Sequence, residues 1–312
     1  MLHWLENKQG MRIGVSEQGA AWLSCQIPMR DGTLREVLLG SDDPVRMSQS
    51  GAYLGSSVGR YCGRIANATF TLDGRSYDVD ANEAPNHLHG GFDGLSRRRW
   101  QLLEKTADTL ILAIESSDGE GGFPGHVVVR ATYRLDDDNC VTIDYHAQTD
   151  QPTIFNLCNH AYFNLNGVGQ PALTQQLSIN AKRYVAVDAA GIPTADSQPV
   201  AGTHFDFQVM RSIDEGIYDH SFWLEDQQAA VIESVDSDLR LVIHTTQPAL
   251  HLYTGQGLAG EKGCDGNPYQ ACAGVALETQ APPDSANRHP ELVRTTAEQP
   301  YHHQTRYCFD VQ

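Results

Sequence analysis

The chain has 312 residues, and 22 Lys and Arg against 39 Asp and Glu give a formal net charge of −17. That acid excess argues against a broad basic surface for nucleic acid. No uncharged apolar run approaches the roughly 20 residues that cross a bilayer, so no membrane partner is expected either.

A composition of 40% hydrophobic and 20% charged residues is an ordinary globular mixture, and the chain is long enough to bury a sizeable core. The first six residues lack a basic stretch followed by an apolar one, so no secretory leader is expected. Seven cysteines, Cys25, Cys62, Cys140, Cys158, Cys264, Cys272 and Cys308, are odd in number and widely spaced, with no CxxC. This predicts small core residues kept as reduced thiols in a cytoplasm, rather than a disulfide framework.

In chain order, Asp73-Gly74 between residues 69–72 and 76–79 is a strong hairpin signal. Residues 109–114 read as a strand. Residues 126–135 and 141–147 are β-branched or alternate apolar with polar, and the turn-forming run Asp136-Asp137-Asp138-Asn139 joins them as a second hairpin. Residues 220–224, 239–245 and 307–311 read as further strands. No long stretch repeats apolar residues at helical spacing between caps. The 28 glycines and 14 prolines suit many short connections, with no linker and no long internal repeat. The fold class is therefore all-β, a sandwich or barrel of antiparallel strands with few short helices, as one domain over residues 1–312.

Four segments carry candidate chemistry. Arg60 and Arg64 stand four apart among small residues and suit hydroxyls or a carboxylate, or else are plain surface cations. His87 and His89 point to one face if they lie on a strand, a spacing found in metal sites. A third His and a carboxylate are needed to complete such a site, and no second motif of ligand spacing supplies them, so no metal is assigned. The Gly90-Gly91 pair after His89 marks backbone that turns tightly or lies close to a ligand. His160, in an apolar run flanked by Asn, is either a satisfied core residue or a tuned acid or base. Glu278 follows an apolar strand-like run, where a sandwich presents a base at its mouth. A half-buried carboxylate tends towards a raised pKa, which suits a general base; a solvent-facing Glu on an alternating strand is the plainer reading. Two His, one Glu and one Arg, without a nucleophile motif, a phosphate loop or a Schiff-base lysine, point to acid–base chemistry on a neutral polar substrate.

These residues carry a resemblance. Gly59-Arg-Tyr61, Arg64-Ile-Ala-Asn67, Asn86-His-Leu-His-Gly-Gly91, Arg98-Arg99-Trp100, Gly122-Phe-Pro-Gly125 and Asn159-His-Ala-Tyr-Phe-Asn-Leu165 stand in the same order as in the bacterial aldose 1-epimerases, also called galactose mutarotases. So do Val187-Asp188, Gly191-Ile-Pro193, residues 200–207, Tyr218-Asp219-His220, Leu252-Tyr-Thr-Gly255, Ala276-Leu-Glu-Thr279 and Pro283-Asp-Ser285. The resemblance runs from about residue 31 to about residue 291.

It implies a β-supersandwich with an open cleft for a monosaccharide, and catalysis without metal or organic cofactor. Glu278 matches the general base for the anomeric hydroxyl, and His160 the general acid for the ring oxygen. His89, Arg64, Asp219, Tyr162 and His251 match sugar-binding positions, whereas His87 carries no transferred role. Gly63 stands where the family commonly has Asn, His251 where it has Gln, and Gln256 where it has Asn. Arg288 stands as an insertion before His289-Pro290. The resemblance implies interconversion of the α and β anomers of free aldohexoses such as D-galactose and D-glucose. The readings weighed beside it are a hexose-6-phosphate 1-epimerase, a non-catalytic sugar-binding protein, and a cupin-like metal enzyme built on His87 and His89. Oligomeric state is not legible.

Overall fold

Two antiparallel sheets carry most of the strand residues. The larger has nine strands in the order Gln101–Lys105, Thr109–Ser116, Val127–Leu135, Cys140–Thr149, Tyr301–Val311, Leu239–Thr245, Gln228–Glu233, Gln176–Ile179 and Arg211–Ser212. The smaller has six, in the order Tyr162–Phe163, Val275–Gln280, Ala249–Tyr253, Asp219–Trp223, Arg183–Tyr184 and Gln198–Pro199. A four-stranded sheet over Leu2–Glu6, Arg12–Ser16, Ala21–Pro28 and Leu34–Glu36 opens the chain. The computed structural model describes residues 2–312 except Asp196 and Glu215.

Period-two alternation builds the core. Leu110 and Leu112, then Val127, Val129, Ala131, Tyr133 and Leu135, then Val141, Ile143, Tyr145 and Ala147 fill one face of the large sheet. Tyr307, Phe309, Leu239, Leu241 and Ile243 continue that face across the register pairs Ile243↔Tyr307 and Leu241↔Phe309. Leu250, Leu252, Val275 and Leu277 join the same apolar cluster from the small sheet. Removing such side chains from water is the main favourable term in folding.

The predicted hairpins are present. Thr69–Leu72 pairs with Arg75–Asp78, and Val127–Leu135 pairs with Cys140–Thr149. The strand predicted over residues 307–311 starts six residues earlier, at Tyr301. A helix at Pro44–Gln49 was not expected. Its start is local: Asp43 accepts from the amides of Val45 and Arg46, and proline occupies the first turn.

Two expectations need correction. Cys140 and Cys308 lie opposite each other on neighbouring strands and form a disulfide, with Cα atoms 4.1 Å apart, so not every cysteine is a free thiol. Residues 168 apart in sequence gave no local sign of that pairing. His87 and His89 also do not share a strand face, because the strand is only His87–Leu88 and His89 has a left-handed backbone with φ 52°. His87 turns edge-on to Phe123, and its two ring nitrogens are taken by the Asp80 carbonyl and the Gly90 amide.

Candidate active site

The strand Val275–Gln280 has two different faces. Val275 and Leu277 enter the core, and Thr279 Oγ1 bonds Thr305 Oγ1 of the large sheet at 2.6 Å. Alternation then sends Ala276, Glu278 and Gln280 to the opposite face. Register carries the same division to the neighbouring strands. His251 pairs with Glu278 and with Ser221, while Tyr253 pairs with Ala276 and with Asp219. Tyr162 pairs with Ala276 from the other side. Two adjacent rows, Ser221–His251–Glu278 and Asp219–Tyr253–Ala276–Tyr162, thus floor one side of the sheet.

Loops complete a cleft of about 150 Å³ over these rows. Glu278, His160, Arg64, His89, Asp219, Tyr162 and His251 all line it, so the seven residues that the resemblance gives a site role are brought to one place, without Arg60 and His87. Gln256 does not line it; its amide nitrogen bonds Thr254 at 2.9 Å. Arg60 is a further correction. Instead of a surface cation it is a buried strut that donates to Ser116 Oγ and to the carbonyls of Ser116, Ser117, Pro124 and Gly125.

Glu278 is 2% exposed, neither half-buried nor solvent-facing, because the loops cover the strand face that alternation turns away from the core. Its Oε1 lies 3.5 Å from His160 Nε2. His160 is also buried, with its backbone held by hydrogen bonds between His160 N and the Ser56 carbonyl and between Gly55 N and the His160 carbonyl. Tyr53 stacks on its ring at 5.9 Å, and Tyr162 approaches at 4.9 Å. Its Nδ1 is buried with no hydrogen-bond partner, a rare condition for a polar atom in a finished core.

The remaining polar groups are oriented by neighbours. His89 Nδ1 accepts the Gly63 amide at 3.2 Å; a backbone N–H only donates, so the neutral ring carries its proton on Nε2. Burial, followed by the proximity of His160 and Arg64, pushes the His89 pKa well down, which keeps the ring neutral. Arg64 is gripped by Glu83 in a fork, Nε to Oε2 at 2.6 Å and Nη2 to Oε1 at 2.9 Å. Gly191 gives that guanidinium room, since a Cβ there would sit 2.6 Å from Nη1.

His251 Nε2 meets Asp219 Oδ1 at 2.7 Å, and its Nδ1 meets Ser221 Oγ at 2.8 Å. Burial alone would lower the His251 pKa, but the Asp219 hydrogen bond and charge outweigh it and the net shift is upward. Burial likewise pushes the Asp219 carboxyl up, and the same His251 contact overrides it, holding the group far below the usual carboxylate range. The contact thus favours the charged form of both partners.

Behind Glu278 lies a layer that sequence reasoning treated only as core. Cys158 Sγ is 3.2 Å from Glu278 Oε2, and Cys62 Sγ is 3.6 Å from it. The two sulfurs are 2.6 Å apart. Cys62 also meets Gln280 Oε1 at 2.6 Å, and burial pushes its thiol up to about 11. Tyr53, Tyr253 and Gln280 are cleft residues that sequence reasoning missed. Gln280 and Tyr253 stand two residues after Glu278 and His251, so strand alternation alone points to them. Tyr53 sits in a loop at φ 53° and has no periodic signal.

Chemically, the arrangement places a carboxylate and an imidazole side by side under a small polar cleft walled by tyrosines. Comparison with known proteins agrees. Residues 1–308 match the family model of aldose 1-epimerase. The aldose 1-epimerase of Escherichia coli (strain K12) is 39% identical over 303 residues, 92% of this chain and 87% of that one. The Haemophilus influenzae aldose 1-epimerase is 42% identical, with 92% and 88% coverage. A solved aldose epimerase homologue from C. elegans superposes with a TM-score of 0.93 at 28% identity, covering 100% of this chain and 99% of that one. With the cleft, the fold and near-complete matches in agreement, the chain belongs to the aldose 1-epimerase family.

Proposed function

We propose that the protein interconverts the α and β anomers of free aldohexoses such as D-galactose and D-glucose, with Glu278 as general base and His160 as general acid. The observation that carries this assignment is the 3.5 Å approach of the two buried side chains. The anomeric hydroxyl oxygen and the ring oxygen share one carbon, so groups that serve both must be neighbours. Glu278 takes the proton from the anomeric hydroxyl as the bond from the anomeric carbon to the ring oxygen breaks. His160 gives a proton to the departing ring oxygen, and an open-chain aldehyde results. Rotation about the C1–C2 bond presents the other carbonyl face. Closure returns a proton from Glu278 to the carbonyl oxygen and one from the ring hydroxyl to His160, so both groups end as they began. Each contributes on the order of 10²–10⁴-fold, and positioning in the cleft adds to that.

Neutral His89 offers its Nε2 proton to a sugar hydroxyl, while Arg64, Asp219, His251 and Tyr162 hold the remaining hydroxyls. A free sugar fits better than a phosphorylated one. Among the described cleft residues Arg64 is the one Lys or Arg, and Glu83 already neutralises it. The reading extends to a monosaccharide-binding β-supersandwich that works in the cytoplasm.

Polarimetry of freshly dissolved α-D-galactose and α-D-glucose tests it. Wild type should speed the decay of rotation, and Glu278→Gln should lose about 10²-fold or more of that rate. No acceleration over buffer by wild type on either sugar would overturn the assigned substrates. A Glu278→Gln variant that keeps its full rate would overturn the assigned base.

A further inference from the structure

The sulfur layer behind the carboxylate has no part in the proton transfers, yet its atoms are arranged as a donor set. Cys62 Sγ lies 3.6 Å from His89 Nδ1 and 3.6 Å from Glu278 Oε2, and the three donor atoms all fall within 4.8 Å of one another. Cys158 Sγ is 3.2 Å from the same carboxylate oxygen. A tetrahedral zinc ion with bonds of ~2.3 Å to sulfur and ~2.0–2.2 Å to nitrogen or oxygen sets neighbouring sulfur and nitrogen or oxygen donors about 3.5 Å apart. The Cys62 separations already match that edge. To share one ion the two sulfurs, at 2.6 Å, must move apart, and the imidazole, carboxylate and Cys158 must draw in around it.

We propose that Cys62, His89 and Glu278, with Cys158 as fourth donor, form a binding site for a borderline-soft divalent cation such as Zn²⁺ or Cd²⁺, and that occupancy of this site shuts down sugar turnover. The inhibition rests on the assignment of Glu278 as base; the binding does not. Two sulfurs, one imidazole and one carboxylate select zinc-like ions over Mg²⁺ or Ca²⁺, which prefer all-oxygen shells.

Three features favour the exchange. Two thiolates, Cys62 and Cys158, and the Glu278 carboxylate bring three negative charges to a divalent cation, and His89 binds through Nδ1 as an imidazole. The Gln280 carboxamide, now accepting from Cys62, turns to donate once that thiol has lost its proton. Both thiol protons leave to solvent as the metal binds, and no oxidant is involved. The cost is the hydrogen bonds that the metal displaces, from the Gly63 amide to His89 Nδ1 and from the Cys158 thiol to Glu278 Oε2. Glu278 and His89 line the cleft, which provides the entry path. The ion and the sugar then compete for the same two side chains.

The test uses full-length, chelator-treated protein titrated with CdCl₂ and ZnCl₂. Expected are one tightly bound ion per chain, a thiolate-to-metal charge-transfer absorption with cadmium, and a fall in anomer interconversion that a chelator reverses. The rate ratio with and without metal is read within each variant. In Cys62→Ala the metal concentration for half-inhibition should rise by at least about tenfold, with a smaller rise in Cys158→Ala. Absence of the charge-transfer absorption in wild type, or equal inhibition of wild type and Cys62→Ala, would overturn the site. So would an inhibition reversed by a phosphine reductant but not by a chelator, which would mean that the two thiols had been oxidised. Binding that depends on Cys62 but leaves turnover untouched would uphold the site and overturn Glu278 as base.

Discussion

His251 shows how one residue tunes a sugar cleft. A glutamine there would bond its neighbours without charge. The imidazole instead pairs with Asp219 at 2.7 Å and has its pKa raised. Well below its ordinary value of 6.5 His251 is charged in the folded and the unfolded chain alike; as pH rises through its higher folded value, the charged pair with Asp219 is lost. The Asp219 carboxyl, held low, stays ionised throughout that window. His251→Gln is therefore expected to flatten the rise of KM as pH climbs above 6.5 while leaving kcat within about threefold, since the proposed role of His251 is sugar binding and not proton transfer. Steady-state polarimetry across neutral and alkaline pH checks this, and a KM profile identical to that of wild type would remove His251 from sugar binding.

The seven cleft residues were legible because each stands in an ordered motif. The Cys62–Cys158 layer was not, because residues 96 apart meet only when the cleft loops fold over the small sheet. Glu278 was legible as a base and misjudged in its exposure. Alternation shows that residues 276, 278 and 280 share a face, but it does not tell whether water or loops cover that face.

At the scale of the element, the strand Val275–Gln280 couples stability to chemistry. Its six residues are all buried, alternately against the core and against the cleft. Leu277→Ala is expected to cost about 2–5 kcal/mol, the range for a large core aliphatic cut to alanine. It should also slow turnover, because Leu277 sets the height of the strand from which Glu278 projects. Urea midpoints and polarimetry on the same sample measure both; a stability loss under 1 kcal/mol would show that the core closes over the gap.

Hairpins such as residues 69–78 were legible because turn and pattern lie within ten residues. The short strands at Cys158–Asn159 and Tyr162–Phe163 were not, since two residues carry no period, and their partners come from Ser57–Val58 and from Val275–Gln280. The helix Pro44–Gln49 was legible in principle from Asp43-Pro44. Six residues are too few to give a repeat, and it is the cap that announces them.

At the scale of the molecule, we propose that the chain unfolds as one unit, because a single apolar cluster joins Leu5 to Phe309 through both large sheets. The same urea titration reads this as one transition with coincident spectroscopic midpoints. Its pH dependence has a definite sign. His87 is fully buried, and burial lowers its pKa to about 4 from 6.5. A lowered histidine pKa means that the unfolded chain binds the extra proton first, so stability is full above 6.5 and falls as pH drops towards 4. The slope approaches about 1.4 kcal/mol per pH unit for one such group. His220, also lowered to about 4 and chiefly by burial, acts in the same direction. The lowered carboxyls of Asp219 and Asp238 add a separate loss that begins only below their ordinary 3.8. A urea midpoint that holds level between pH 7 and pH 4.5 would contradict the His87 account.

The position of the strand Tyr301–Val311 bears on how the protein is made. It lies in the middle of the nine-stranded sheet, between Cys140–Thr149 and Leu239–Thr245, yet it follows every other strand of that sheet in sequence. The ribosome therefore releases the central strand last. Until then the nascent chain holds two separate half-sheets, each ending in an unpaired strand whose amides and carbonyls invite the wrong partner. Completion of the sheet waits for its last-made strand, and the interval before it is when the growing chain has most need of a chaperone.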